Sequence, residues 1–311
     1  MNRIISYFYF LCEVIFALGW WGKFDKKPKA LYNNRKMHTG DKMKLAICNE
    51  MFEDWKIEDV FTYTAELGYE AVEIAPFTLA DSVLDISGAE RSRIRKAADG
   101  AQIEIAGLHW LLVSPPGLYI NHPDAEIREE TRDYFLALIN LCADLGGKVM
   151  VIGSPQQRNV IEPLSFEEAW GYARDTFTEG AALAGERDVM LCMEPLSSDQ
   201  TNFITNPDKA VEMVNAVNHP NFQMILDVCS TAKEGLDMPT QIRNCAPHVA
   251  HFHSNDDNGY LPGSGNVDYP PIIEALKEIN YSGYVSTEVF DFKPDPQTIA
   301  KKSIEFLKSL L

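Results

Sequence analysis

Four short apolar runs in this chain each end in a side chain that can bind a metal ion, and their spacing is close to regular. The runs are typical of buried β-strands, and they end at Glu194, Asp227, His253 and Glu288. The intervals of about 26 to 35 residues match the repeat of about 31 residues in a (β/α)8 barrel of about 250 residues. Consecutive barrel strands would therefore deliver all four side chains to the carboxyl-terminal rim of one barrel.

Short apolar runs alternate with amphipathic segments eight times after Met43, which predicts repeated βα units and a parallel sheet. Eight units favour a closed (β/α)8 TIM barrel, in a single domain over 43–311. An open doubly wound sheet would need a glycine-rich turn after its first strand, and the segment 48–52 contains no glycine. The predicted strands lie near 45–48, 71–74, 103–108, 149–152, 190–193, 224–226, 249–252 and 284–287. The predicted helices lie near 57–67, 89–98, 125–145, 166–184, 207–217, 239–245, 270–279 and 297–310.

The first 42 residues differ in character from the rest of the chain. Arg3 and the apolar stretch 4–18, which Glu13 interrupts, resemble a secretory signal, but about 15 residues are too few for a stable membrane span. One interpretation is a weak export or membrane-surface segment, which would make the protein an exported one. The favoured interpretation is an upstream start codon before a natural start at Met43. Under this favoured interpretation we expect residues 1–42 to be a disordered N-terminal extension and the protein to be cytoplasmic.

The overall charge argues against one class of partner. The formal net charge is −17 and the pI is about 4.8, whereas a nucleic-acid surface needs clustered Lys and Arg to neutralise phosphates. We therefore expect no nucleic-acid partner. The six cysteines include no CxxC pair and lie mostly in apolar segments, so we expect reduced thiols in the core.

Several motifs in combination resemble the xylose isomerase-like TIM barrels, over essentially the whole chain from Met43. Within them the chain is most similar to the sugar isomerase and epimerase branch that includes ketose 3-epimerases and hydroxypyruvate isomerase. The resemblance implies one divalent ion held by Glu194, Asp227, His253 and Glu288, with the two glutamates doubling as acid and base. The motifs are Glu194-Pro195-Leu196, Leu226-Asp227, His251-Phe252-His253, and the segments 262–269 and 283–288.

The chemistry of these side chains supports the same function independently. Carboxylates with one imidazole suit a hard or borderline divalent ion such as Mn²⁺, Mg²⁺ or Co²⁺. We expect Mn²⁺, with Mg²⁺, Co²⁺ or Zn²⁺ as alternatives. A cation that polarises a carbonyl makes the proton on the neighbouring carbon removable through an enediolate. Two carboxylates can then take and return that proton. The prediction is a metal-dependent isomerase or epimerase of a small keto sugar or related polyol, with Glu194 and Glu288 as the catalytic pair.

Five further residues are predicted to contact the substrate. His109 and Trp110 end the third strand and are expected to line the pocket, His109 as a hydrogen bonder and Trp110 as a stacking surface. Glu73 ends the second strand, where it could bind a sugar hydroxyl or support the barrel. Arg158 could anchor an anion, although a solvated loop charge is the favoured alternative. Ser230 stands where the family often has a histidine three residues after the metal-binding aspartate, so the substrate stays open.

Alternative functions use the same site. An inosose-type dehydratase would expel a hydroxyl after the same proton abstraction. An endonuclease IV-like enzyme is disfavoured because it needs additional histidines, and this chain has Ser230, Gly265 and Asn266 at the expected positions. A sugar-binding barrel without activity would hold its ligand without exchanging carbon-bound protons. A homo-oligomer is compatible with all of these.

Overall fold

Eight parallel strands close into a barrel in the computed structural model, which describes residues 42–311. The predictions made for 1–42 lie outside the described residues, apart from Lys42. Each strand pairs with the next along the chain, and β1 closes the barrel against β8. The predicted (β/α)8 TIM barrel is confirmed. The strands are β1 (Lys44–Cys48), β2 (Ala71–Ile74), β3 (Glu104–Leu108), β4 (Val149–Ile152), β5 (Met190–Met193), β6 (Phe222–Asp227), β7 (Val249–Ser254) and β8 (Tyr284–Thr287).

All eight predicted helices are present, seven of them between strands and the last after β8. The described part of the chain has one further α-helix, Val228–Lys233, directly after β6, which we did not predict. Its first residues continue the apolar run of β6, so the change from strand to helix leaves no break in hydropathy. The helices are α1 (Ile57–Leu67), α2 (Gly88–Ala101), α3 (Ala125–Leu145), α4 (Phe166–Glu186), α5 (Pro207–Val217), α6 (Val228–Lys233), α7 (Met238–Asn244), α8 (Tyr269–Glu278) and α9 (Pro296–Lys308).

Side-chain caps explain where several helices begin. Helix α4 has a full capping box, in which the Ser165 hydroxyl accepts from the backbone N–H of Glu168 and the Glu168 carboxylate accepts from that of Ser165. The Asp295 carboxylate accepts from the backbone N–H of Thr298 at the start of α9. These caps fix the ends of the loops that precede the helices.

Two kinds of residue fill the barrel interior. Its apolar part contains Val149, Val151, Cys192 and Ile225, and a separate cluster of three alanines closes the end near Tyr284. On β2, β5 and β6 the next residue on the same face, two positions further towards the carboxyl end, is a carboxylate: Glu73, Glu194 and Asp227 respectively. Cys192 is thus followed on the same face by Glu194.

The outer faces of the strands pack under the helices and form the main core. Among residues 42–311, no helix is both long enough and apolar enough to cross a membrane. The five cysteines in this range are all buried free thiols, as expected.

Candidate metal and active site

The four predicted ligand residues meet at the carboxyl-terminal end of the barrel. Glu194, Asp227, His253 and Glu288 each offer one ligand atom, and these atoms lie within 4.8 Å of one another. Nδ1 of His253 lies 3.0 Å from Oε2 of Glu288 and 3.7 Å from Oε1 of Glu194. All four residues are at least nine-tenths buried. The strands therefore bring the four side chains into one small volume, as the spacing predicts.

Glu73 orients His253 from the opposite side of the ring. Nε2 of His253 lies 3.2 Å from Oε1 of Glu73, and Nε2 of the neighbouring His251 lies 2.8 Å from Oε2. Burial alone would raise the pKa of Glu73, but the two histidines outweigh it and hold the pKa well below its usual value. A carboxylate that accepts the Nε2–H of His253 leaves Nδ1 free to bind a metal ion.

Asp227 is held by two donors, one for each carboxylate oxygen. Oδ1 accepts the backbone N–H of Ser230, and Oδ2 accepts Nδ2–H of Asn255 at 2.7 Å. Burial, with the nearby carboxylates of Glu194 and Glu288, raises the pKa of Asp227 to about 7. Three carboxylates in so small a buried volume repel one another, and a cation among them would relieve that repulsion.

Glu194 reaches the site through space that a glycine leaves open. A Cβ atom at Gly153 would lie 1.9 Å from Oε2 of Glu194, so any side chain there would displace the carboxylate. Gly153 directly follows β4, whose last residue Ile152 accepts the backbone N–H of Glu194 at 3.2 Å. The glycine in this place therefore leaves room for the Glu194 carboxylate at its present position.

The arrangement fits a divalent ion. Within the described residues, Oε1 of Glu194 and Nδ1 of His253 are buried without a hydrogen-bond partner, although buried polar atoms are nearly always paired. Three carboxylates and one imidazole are the ligands that Mn²⁺, Mg²⁺ or Co²⁺ accept. The supporting contacts from Glu73 and Asn255 are of the kind that orient metal ligands.

A pocket opens beside these carboxylates. His109 lies in its wall, with Nε2 2.7 Å from Oε2 of Glu50. Burial alone would lower the pKa of His109, but Cys48 and Glu50 raise it well above the usual value. The pocket is lined by His109, Trp110, Val151, Gly153, Pro155, Glu194, Leu196, Gln200, Glu288 and Phe290.

The five predicted substrate-binding residues do not all lie in the pocket. His109 and Trp110 line the pocket, as predicted. Glu73, Arg158 and Ser230 are not among its lining residues. Both oxygens of Glu73 bind histidines, which favours the supporting role that the sequence left open. Ser230 is buried in the first turn of α6, where its backbone N–H orients Asp227.

Arg158 is not the solvated loop charge that we favoured. It is 1% exposed, and its Nη1 donates to the carbonyl of Ile152 at 3.0 Å. Burial lowers its pKa to about 10, against the opposing effect of Glu194. The short 3₁₀ turn Gln156–Arg158 folds the side chain inward, and hydropathy of the loop does not reveal such a turn. Its role as an anion anchor stays a prediction.

Sequence reasoning missed several residues of the site. Asn255 and Glu50 carry a usable signal, because each lies two residues after another inward-facing residue, His253 and Cys48 respectively. Gln200 and Phe290 lie in loops, where no periodicity identifies the residues that face a pocket.

The fold and the site define a (β/α)8 barrel with a carboxylate and histidine centre at the carboxyl ends of its strands. A family model described as "Xylose isomerase-like TIM barrel" matches residues 61–310, and the chain belongs to this family. The resemblance noted from the motifs is thereby confirmed.

Named relatives act on sugars. The chain is 28% identical over 235 residues to D-psicose 3-epimerase of Agrobacterium fabrum, covering 73% of this chain and 76% of that one. It is 22% identical over 274 residues to 3-dehydro-D-guloside 4-epimerase of Escherichia coli, covering 86% and 100%. A solved structure of D-psicose 3-epimerase in the presence of D-fructose superposes with a TM-score of 0.77 at 22% identity, covering 86% and 99%. That structural likeness concerns the fold alone.

Proposed function

We propose that the protein is a divalent-metal-dependent epimerase of a small keto sugar. The observation that carries the proposal is the convergence of Glu194 and Glu288 on Nδ1 of His253, at 3.7 and 3.0 Å, in the wall of one pocket. Two carboxylates beside a cation site are the groups that proton transfer at carbon next to a carbonyl requires. The relatives named as sugar epimerases support the same reaction class.

The two glutamates would act as a proton-transfer pair. One takes the proton from the carbon next to the carbonyl, and the other delivers a proton to the opposite face, which inverts that carbon. Glu194 directly follows β5 and Glu288 directly follows β8, so they approach the substrate from different parts of the rim. When bound, a divalent ion held by Glu194, Asp227, His253 and Glu288 would polarise the carbonyl and neutralise the charge that develops on its oxygen.

The remaining side chains would position the substrate. His109, fixed by Glu50, would donate or accept a hydrogen bond to a sugar hydroxyl. Trp110 would supply a flat apolar surface for the sugar ring. Mn²⁺ is the proposed ion, because oxygen ligands with one imidazole suit it. The cytoplasm as compartment and an oligomeric assembly stay predictions.

The test is deuterium uptake at carbon. The Mn²⁺-loaded protein is incubated in D₂O with D-psicose, a 3-keto glucoside, an inosose and hydroxypyruvate, and NMR follows label incorporation and products. We expect deuterium at a single carbon together with its epimer. Loss of water from the inosose without epimer formation would favour the dehydratase. No exchange in any substrate, with the ion bound, would contradict the proposed function.

A further inference from the structure

Arg158 is a buried cation without a counter-ion. The residue is 1% exposed, and its Nη1 donates to the carbonyl oxygen of Ile152 at 3.0 Å. Nε and Nη2 are buried and have no hydrogen-bond partner within residues 42–311. A pKa of about 10 keeps the guanidinium protonated at neutral pH. A charge that is buried without a partner destabilises a folded protein, so the stability of the barrel does not account for this residue.

Arg158 and Glu194 share a hydrogen-bond acceptor. The carbonyl oxygen of Ile152, at the end of β4, accepts Nη1–H of Arg158 and also the backbone N–H of Glu194 at 3.2 Å. Glu194 is the acidic residue whose charge raises the pKa of Arg158 against the effect of burial. The guanidinium and the Glu194 carboxylate therefore attract each other through the protein interior, where charges are weakly screened.

Two neighbouring loops hold the turn that carries Arg158. Asn121, in the loop after β3, donates Nδ2–H to the carbonyl of Arg158 at 2.8 Å. Thr201, in the loop after β5, donates its hydroxyl to Oδ1 of Asn159 at 2.7 Å. These bonds fix the main chain on both sides of the turn, and the Arg158 side chain stays directed inward.

The Arg158 side chain does not reach the pocket. Gly153 and Pro155, which precede it in the same loop, are lining residues, whereas Arg158 is not. A direct bond to an anionic group of a substrate would require the guanidinium to leave the carbonyl of Ile152. The position therefore favours an effect on Glu194 over an effect on the substrate.

The carboxylates of Glu194, Asp227 and Glu288 together carry more negative charge than one divalent ion neutralises. An enediolate that forms beside them would add to this excess, and the added repulsion would oppose the reaction. A fixed cation near Glu194 offsets the excess before and during proton transfer. Arg158 is such a cation, and it is already in place in the folded protein.

We propose that Arg158 is a positioning residue of the active site, whose buried charge holds the Glu194 carboxylate and offsets the excess negative charge during proton transfer. This inference rests on the proposed function and adds a residue to the same site. The charge of Arg158 destabilises the fold and favours the reaction, so removing that charge should change stability and turnover in opposite directions.

The experiment removes the charge and keeps an unbranched side chain, by the substitution Arg158→Met. Three quantities are measured for the full-length protein: the thermal unfolding midpoint without metal, the Mn²⁺ affinity by titration calorimetry, and turnover. Turnover is followed with whichever of D-psicose, a 3-keto glucoside, an inosose and hydroxypyruvate exchanges deuterium with the wild type. Arg158→Lys keeps a positive charge. Arg174→Met is the matched control, because it removes a positive charge from an exposed site on α4, where Arg174 pairs with Asp175.

We expect kcat to fall by about 10 to 100-fold in Arg158→Met, with KM changed by less than about threefold. The unfolding midpoint should stay the same or rise, because an apolar side chain replaces an unpaired buried charge. Mn²⁺ should bind equally well or up to about tenfold more tightly, because a repelling charge is gone. Arg158→Lys should keep kcat within about fivefold of the wild type. Arg174→Met should match the wild type in all three measurements.

A lower unfolding midpoint together with weaker Mn²⁺ binding in Arg158→Met would show that the residue supports the fold, and it would overturn the proposal. Unchanged turnover with the ion bound would overturn it as well. A third contrary result is tighter binding of fructose 6-phosphate than of fructose, lost in Arg158→Met, because it would assign Arg158 to an anionic group of the substrate.

The measurements separate this inference from the proposed function. Normal exchange by the wild type with unchanged turnover in Arg158→Met rejects the positioning role and leaves the epimerase intact. Absence of exchange in every probe by the Mn²⁺-loaded wild type rejects the epimerase. In that case a higher midpoint with tighter Mn²⁺ binding in Arg158→Met would still support the charge-balancing role, and lower values of both would overturn it.

Discussion

Oε1 of Glu73 lies 3.2 Å from Nε2 of His253, although 180 residues separate them in the sequence. The contact joins β2 to β7 across the barrel interior and fixes which nitrogen of His253 faces the ligand cluster. Glu73 has no exposed surface, and its second oxygen binds His251. The candidate metal site therefore depends on a strand that supplies none of its four predicted ligands.

Replacing Glu73 with glutamine should weaken metal binding without removing a ligand. The amide keeps the shape of the side chain but loses the charge that holds the Nε2–H of His253. We expect Mn²⁺ affinity to fall by about 10 to 100-fold, as for other residues that orient metal ligands. Titration calorimetry measures the change, with the exposed Glu305→Gln as control. Unchanged affinity in a folded Glu73→Gln protein would argue against the orienting role.

Replacing Gly153 with alanine should reduce turnover by displacing Glu194. The added methyl group would occupy the position 1.9 Å from Oε2 of Glu194, so the carboxylate must move. A misplacement of about 1 Å can cost about 100-fold in rate. Gly171→Ala is the matched control, because a Cβ atom there meets nothing within 4 Å and the residue lies inside α4. Equal turnover in the two variants would contradict this prediction.

Replacing Glu194 or Glu288, the proposed proton-transfer pair, with glutamine should abolish most of the turnover. Each change keeps the size of the side chain and one coordinating oxygen but removes the base, so we expect at least about a 100-fold loss. Substrate binding should change much less. A variant that exchanges deuterium without completing the reaction would assign the two roles. Near-normal turnover in both Glu194→Gln and Glu288→Gln, with metal retained, would exclude the proposed mechanism.

Metal binding should release protons and strengthen as the pH rises. The pKa of Asp227 is raised to about 7 in the metal-free protein. Burial alone would lower the pKa of His253, but Glu288 and Glu73 raise it well above its usual value. Both groups must lose their protons to bind a cation, so affinity should increase as the pH rises through about 7, the pKa of Asp227, and should continue to increase above it as His253 loses its proton.

Calorimetry in two buffers of different ionisation enthalpy counts the released protons, and elemental analysis should find one ion per chain. Asp227→Asn should release fewer protons than wild type. A pH-independent affinity would contradict the assignment of these ligands, and three zinc ions per chain would favour the endonuclease alternative.

Removing residues 1–42 should leave an active domain. The first barrel strand begins at Lys44, and the closure of β1 against β8 uses residues from Lys44 onward. We expect the shortened protein to keep its thermal unfolding midpoint and its Mn²⁺ affinity within error of the full chain. A shortened protein that aggregates while the full chain stays folded would show that the extension belongs to the fold.

Much of this protein follows from local pattern alone. The alternation of apolar runs with amphipathic segments located all eight strands. Most predicted strand ends lie within two residues of the observed ends. Strand ends are predictable because apolar runs stop where the chain leaves the barrel wall. The same regularity identified Glu194, Asp227, His253 and Glu288, since parallel barrel strands deliver their last residues to one rim.

The tertiary structure decided what those residues touch. Barrel closure brings Glu73 to His253, loop packing buries Arg158, and the absence of a side chain at Gly153 makes room for Glu194. No periodic pattern in the sequence predicts these contacts, because each contact joins two segments that meet only after the chain has folded. The sequence by itself determined the barrel and the four side chains that meet at its carboxyl-terminal rim. Only the tertiary structure decided how these side chains are oriented, because their orientation depends on contacts between distant segments.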